Sequence, residues 1–230
     1  MVRKKRDLTP KEHRAQKLFI AKLGMKKRTT NRPVIIAMIG LVGSGKSSAA
    51  RELAKRIGAT VIKSDDIRVE LRKLGEPYER VRVIAENATL EIVKQGGNVI
   101  LDSDFIDPTK RASLREKVRG VSAELVFVCT YADFDVMIGH VITATYKDRA
   151  GEFFSRSKSK WVGSEQSKAA AVKIREMLRR LPFHYRWQSK VGGEWVIKNP
   201  PCAVLANIDT TNQDSWKKEV LRCAKGILTL

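Results

Sequence analysis

Five short apolar runs are spaced along the chain, and between them lie longer stretches with helical periodicity. The runs are PVIIAMIG at 33–40, TVIKS at 60–64, NVILD at 98–102, ELVFVCT at 124–130 and AVLANID at 203–209. Continuous apolar runs of this length, ended by glycine or a carboxylate, suit strands buried on both faces of a parallel sheet. The intervening stretches predict helices at 46–57, 66–74, 78–95, 109–119, 133–148, 164–181 and 213–228. Regular alternation of strand and helix implies parallel pairing with helices on both faces, hence an α/β fold with a five-stranded parallel sheet.

Two segments depart from this alternation. FHYRWQSKVGGEWVIKN carries two aromatic and β-branched runs around Val191-Gly192-Gly193, which predicts an inserted β-hairpin at about 183–198. Before the first strand, DLTPKEHRAQKLFIAKLG predicts a short helix with Thr9 as cap, Pro10 at its first position and Gly24 as its stop. Leu18, Phe19 and Leu23 would form its apolar stripe, and MKKRTTNRP reads as a basic linker. The chain therefore divides into a basic N-terminal arm, 1–32, and one α/β domain, 33–230.

Composition changes little in this picture, but charge placement adds to it. The chain has 230 residues and a formal charge of +20. Residues 1–32 hold 12 Lys and Arg against 2 acidic residues, and residues 147–190 hold 12 against 4. The rest is nearly neutral. Such concentration is the electrostatic footprint expected for a polyanion partner. No apolar run approaches the roughly 20 residues of a membrane helix. The basic start MVRKKRDLTP is not followed by an apolar stretch, so a secretory signal is not expected. Cys129, Cys202 and Cys223 lack metal-type spacing and read as reduced thiols near the core, which together predict a cytoplasmic protein.

The chemistry begins at GLVGSGKSS, residues 40–48, which satisfies G-x-x-x-x-G-K-[ST] between a strand and a helix. Glycines let main-chain N–H groups turn inward as an anion nest at a helix N-terminus. Gly43, Ser44, Gly45, Lys46, Ser47 and Ser48 are the candidate triphosphate cradle, Lys46 reaching the β- and γ-phosphates and Ser47 offering its hydroxyl to Mg²⁺. The fold class is accordingly the P-loop NTPase fold. The cradle does not distinguish ATP, the expected donor, from GTP.

The residues just past the second and third strands bear on the phosphate acceptor. After the second strand, VIKSDDIR puts Asp65 where the γ-phosphate points and Arg68 one turn further on, with Asp66 as the expected helix cap. A carboxylate there can take a proton from an attacking hydroxyl, and the arginine can hold an anion on the acceptor. After the third strand, LDSDFIDPTKR offers Asp102 for the Mg²⁺ shell, Asp104 as a second carboxylate for metal or acceptor, and Asp107 as a helix start. TYKDRAGEFFSRSKSKW sits where a lid closes over phosphates, at about 147–165, and Arg149 and Arg156 are its candidate arginines.

The order GSGKS, SDDIR, LDSDFIDPTKR resembles P-loop kinases of the polynucleotide kinase and zeta-toxin-like group, phage-type polynucleotide kinase most of all. The likeness covers roughly 34–210 and extends to Leu181-Pro182-Phe183-His184-Tyr185. It implies Asp65 as general base, Arg68 as the binder of an acceptor phosphate and Arg149 as a catalytic lid arginine touching the donor. Asp102-Ser103-Asp104 stands where polynucleotide kinases tend to have Asp-Thr-Asn, an added carboxylate beside an anionic acceptor.

The resulting expectation is Mg²⁺-dependent transfer of the γ-phosphate of ATP to a hydroxyl of RNA or DNA, RNA favoured, with no membrane partner. Trp161, Tyr185, Trp187 and Trp195 are aromatics that could stack on bases. Hairpin packing is the alternative for them, and it is the preferred one for Trp195. His184 is expected in a surface or hairpin role. Two other functions remain open: a small-molecule phosphotransferase acting on a nucleoside, nucleotide sugar or antibiotic, and a non-catalytic, nucleotide-switched RNA-binding protein.

Overall fold

A computed structural model describes residues 7–146, 170–189, 192–212 and 214–230. Five parallel strands form the sheet: β1 Val34–Ile39, β2 Ala59–Lys63, β3 Asn98–Asp102, β4 Glu124–Tyr131 and, late in the chain, Ala206–Asp209. The order across the sheet is β2-β3-β1-β4 and then that last strand, with Ala37 opposite Leu101 on one side and Phe127 on the other. β1 is central, and all six of its residues are buried, as its unbroken apolar run requires.

Helices cover both faces. α1 is Pro10–Ala21, α2 Lys46–Ile57, α3 Ser64–Lys73, α4 Val81–Lys94, α5 Pro108–Val118 and α6 Phe134–Tyr146. α7 is Ala170–His184, followed by the hairpin β5 Tyr185–Gln188 and β6 Glu194–Ile197; β7 is the last strand, Ala206–Asp209, and α8 is Trp216–Leu228. Every second residue of β1 joins one core. Ile35, Ala37 and Ile39 meet α1, α3, α4 and α5 on one face, and Val34, Ile36 and Met38 meet α2 and α8 on the other. A third cluster, from Leu41 through Met137, Met177 and Leu181 to Tyr185, ties α6 and α7 to the end of β1.

The N-terminal helix is part of the main core. Thr9 and Glu12 form a capping box, and Ala15 and Phe19 are buried against α3 and α4. Leu18, expected on its apolar stripe, is 40% exposed, and the buried face is Glu12, Ala15 and Phe19. The linker then follows the edge of the sheet where the strands begin. Arg28 donates to Gly96 O at 2.7 Å, Thr29 N to Ile57 O at 3.2 Å, and Arg32 pairs with Glu124 at 2.9 Å. Gly96, Ile57 and Glu124 lie at or just before the starts of β3, β2 and β4, opposite the edge that carries the glycine-rich loop.

The hairpin stands as expected, with Trp187 opposite Trp195 and ring centroids 5.3 Å apart, edge to face. Trp195 also meets Phe134 at 6.0 Å, and Tyr185 is buried with its hydroxyl donating to Ala132 O at 2.8 Å. Packing thus accounts for Tyr185 and Trp195, whereas Trp187 keeps 52% of its surface exposed. Trp161 lies outside the described residues.

Candidate active site

The loop between β1 and α2 is held by backbone geometry. Gly43 and Gly45 have φ of 88° and 72°, and Gly45 caps α2 in the left-handed region that glycine enters without a Cβ penalty. The fit is also steric. A Cβ on Gly43 would lie 2.5 Å from Met137 O in α6, and one on Gly45 would lie 2.7 Å from Thr210 just past β7. Ser44 is buried with its hydroxyl 2.9 Å from that of Thr130. His140 Nδ1 lies 2.9 Å from Gly43 O; a carbonyl only accepts, so Nδ1 carries the proton. The loop is clamped from three sides, and Ser44 N is spent on Leu41 O at 3.2 Å, so the first turn of α2 is what remains to face an anion.

Lys46 opens α2 and reaches back over the loop, donating to Leu41 O at 2.8 Å. Burial lowers its pKa; the charges of Asp104 and Asp102 oppose that shift and Arg180 adds to it. The ammonium therefore sits among these three side chains. Ser47 is exposed beside it and Ser48 half-buried. Asp102 closes β3, in register with Lys63 of β2. A hydroxyl and a carboxylate are hard oxygen donors of the kind Mg²⁺ takes alongside nucleotide phosphates and water. Among the described residues no cluster of three or more His, Cys, Asp or Glu forms an all-protein cage. Ser47 and Asp102 have the donor chemistry that would hold the ion.

Asp65 and Arg68 lie on α3, which starts directly at the end of β2. Lys63 is the cap, so Asp66, expected in that position, sits inside the first turn with Asp65. The helix starts two residues earlier than its periodicity suggests, because the two aspartates in its first turn favour a helix N-terminus by charge. Arg68 Nη1 donates to Asp65 Oδ1 at 2.5 Å; the arginine side chain is 25% exposed and the aspartate 54%. Base candidate and anion-holding candidate therefore form one i,i+3 pair.

Asp104 differs from the expectation of an open ligand. Its side chain is buried, and all four of its bonds are internal. Oδ1 accepts from Gly40 N at 3.2 Å and Ile106 N at 3.0 Å; Oδ2 accepts from Arg180 Nη2 at 2.6 Å and His184 Nε2 at 3.0 Å. Burial alone would raise its pKa, but the hydrogen bond from His184 and the charges of His184, Lys46 and Arg180 hold the carboxyl well below its ordinary range. Asp104 joins the first glycine of the loop to the end of α7. His184 is buried in that joint rather than on the surface. No motif in the sequence points to Arg180; the available signal is its i,i+4 spacing to His184, which puts both on one face of α7. Arg149 and Arg156 lie outside the described residues.

Comparisons with known proteins bear on the fold. Residues 35–134 match a family described as an AAA domain. Uncharacterized protein Rv2004c of Mycobacterium tuberculosis is 34% identical over 127 residues, covering 47% of this chain, and a Mycobacterium bovis counterpart, Mb2027c, matches equally. The chain spans about a quarter of the length of these relatives. A candidate kinase from Chloroflexus aurantiacus superposes with a TM-score of 0.56 at 14% identity, covering 86% of this chain and all of that one. The APS kinase CysC of M. tuberculosis, solved with AMPPNP and APS, gives 0.51 at 14% identity, covering 84% and 98%. The chain has the P-loop NTPase fold in the arrangement found in kinases.

Proposed function

We propose that the protein is an ATP- and Mg²⁺-dependent phosphotransferase acting on a hydroxyl of a small molecule. The observation that carries this reading is the neighbourhood at one sheet edge: cradle, Asp102 and the Asp65–Arg68 pair leave the adjacent strands β1, β3 and β2 side by side. Ser47 and Asp102 would hold Mg²⁺, which when bound would supply charge neutralisation for the donor phosphates. Lys46 and the loop N–H groups hold the γ-phosphoryl. Asp65 accepts the hydroxyl proton as the oxygen–phosphorus bond forms and the bond to the β-phosphate oxygen breaks, releasing ADP. Arg68, bonded to Asp65 in the structure, exchanges that bond for an acceptor anion.

Two observations favour a small acceptor over the polynucleotide that the charge map suggested. Lys22, Arg28 and Arg32 of the basic N-terminal segment are committed to Glu70, to main-chain carbonyls and to Glu124, with Arg28 and Arg32 at the far edge of the sheet. The APS kinase complex, with a nucleotide analogue and a small acceptor, shares the fold. The polynucleotide reading retains the charge of 147–190, including exposed Arg175, Arg179 and Arg186. Incubation with γ-labelled ATP, small hydroxyl compounds and 5′-hydroxyl RNA and DNA separates the readings, with Asp65→Asn alongside. Label on a small compound, lost in Asp65→Asn, supports the proposal. Label on oligonucleotides alone supports the second reading, and label on nothing removes both.

A further inference from the structure

Lys110 lies in the first turn of α5, half-buried, close to Asp104. Its Nζ donates to the main-chain carbonyl of Asp104 at 3.1 Å. Among the described residues no carboxylate lies within ion-pair distance of it: the Asp104 carboxylate is taken by Arg180 and His184, and Asp107 caps α5 through Thr109. Lys110 and Arg180 are thus tethered to opposite ends of one residue. Register puts the helix that carries Arg68 at the same sheet edge. Lys63 is opposite Asp102, so the segments carrying Arg68 and Lys110 leave neighbouring strands together.

A half-buried ammonium bonded to a carbonyl but to no carboxylate, and repelled by the charges of Arg180 and Arg68, is unfavourable for the protein alone, even with those two guanidinium groups paired to Asp104 and Asp65. Burial lowers the pKa of Lys110, and the charges of Arg180 and Arg68 lower it further against the pull of Asp104 and Asp107. An anion placed among the three cations reverses that balance, and guanidinium groups suit a carboxylate, sulfate or phosphate with two oxygens to offer.

We infer that the phosphoryl acceptor carries an anionic group that sits on Lys110, Arg180 and Arg68, and so presents its hydroxyl to Asp65. The inference rests on the phosphotransferase reading and narrows its substrate to small anionic hydroxyl compounds. Lys110 is an acceptor-binding residue, separate from the nucleotide cradle. An oligonucleotide phosphate has the same chemistry, and the test distinguishes the two sources.

Inorganic sulfate is titrated into protein saturated with Mg·AMPPNP, and amide shifts are followed by NMR. Saturable shifts at Asp104 and Lys110 are expected. Lys110→Gln weakens binding at least about fivefold, Lys110→Arg retains it, and Lys94→Gln on exposed α4 surface leaves it unchanged. Absence of saturable binding, shifts confined to 43–48, or equal binding in Lys110→Gln overturns the inference. ADP formation is then measured with paired hydroxyl compounds, one of each pair anionic and one neutral, and with 5′-hydroxyl oligonucleotides. Preference for the anionic member, with KM raised in Lys110→Gln, supports the inference. Preference for neutral compounds, or turnover of oligonucleotides alone, sinks it. Sulfate binding with no ADP formed from any acceptor instead refutes the phosphotransferase reading.

Discussion

Asp104→Asn isolates the charge at the centre of the site with almost no change of shape. An asparagine keeps the Oδ1 acceptor for Gly40 N and Ile106 N, but replaces Oδ2 with an NH₂ that points a donor at Arg180 and His184. Removing one partner of a buried ion pair costs about 3–5 kcal/mol. Arg180 keeps 21% of its side chain exposed, so water recovers part of the loss and the lower figure, about 3 kcal/mol, applies. For a chain of this size each kcal/mol moves Tm by roughly 2–4 °C, which gives a drop of about 6–12 °C. Thermal unfolding by circular dichroism at neutral pH measures it. Arg180→Gln should destabilise as well, and the double variant should fall short of the sum by about 2 kcal/mol, because the second substitution removes a charge already left unpaired. A drop under about 3 °C, or strict additivity, would refute the claim that Asp104 and Arg180 act as one unit.

Three further outcomes concern other residues. Asp65→Asn should lower kcat by roughly 10²–10⁴ while leaving the affinity for a fluorescent ATP analogue unchanged, as stopped-assay kinetics and direct titration will show. Gly45→Ala forces φ 72° on a residue with a Cβ and puts that atom 2.7 Å from Thr210. It should cost about 1–2 kcal/mol from the backbone alone, and Thr210→Gly in the same chain should restore only the contact part, read as Tm. Burial would raise the pKa of Glu70, but hydrogen bonds from Lys22 at 2.6 Å and Lys73 at 3.1 Å hold it lower. A carboxylate with a depressed folded pKa contributes stability above its unfolded value, about 4.3, and loses it as pH falls through the folded one. Urea midpoints should therefore drop for wild type below about pH 4.3, and the Glu70→Gln profile should be flatter there.

Periodicity and punctuation carry most of the fold. The five apolar runs are the five strands because a parallel sheet covered on both faces needs no polar alternation, and Val191-Gly192-Gly193 marks the hairpin by its turn chemistry. The cradle is legible because its glycines are demanded by backbone angles, and those angles are a property of the local sequence. The Asp104 joint is not. It depends on α7 returning to the loop after β4 and α6, a long-range contact to which no local pattern points, and an Arg-x-x-x-His spacing on a basic helix is commonplace. The buried face of α1 departs from expectation for a similar reason: Leu18 or Ala15 could have faced inward, and contact with α3 and α4 selects Ala15.

Net charge is the quantity most easily over-read here. A value of +20 invites a polyanion, yet a charge acts on a ligand only from where it is placed. Arg28 and Arg32 sit at the opposite edge of the sheet from the cradle, and their donors are taken up by carbonyls and Glu124. Lys110 contributes one unit to the same total, in a stretch of the chain whose sum is almost neutral, and it sits beside Asp104 without a carboxylate of its own among the described residues. The unit that bears on substrate class is therefore the partly desolvated cation at Asp104. Shortening the chain before Pro10 should leave the acceptor KM unchanged, whereas Lys110→Gln should raise it. The reverse pattern would return the decision to bulk charge.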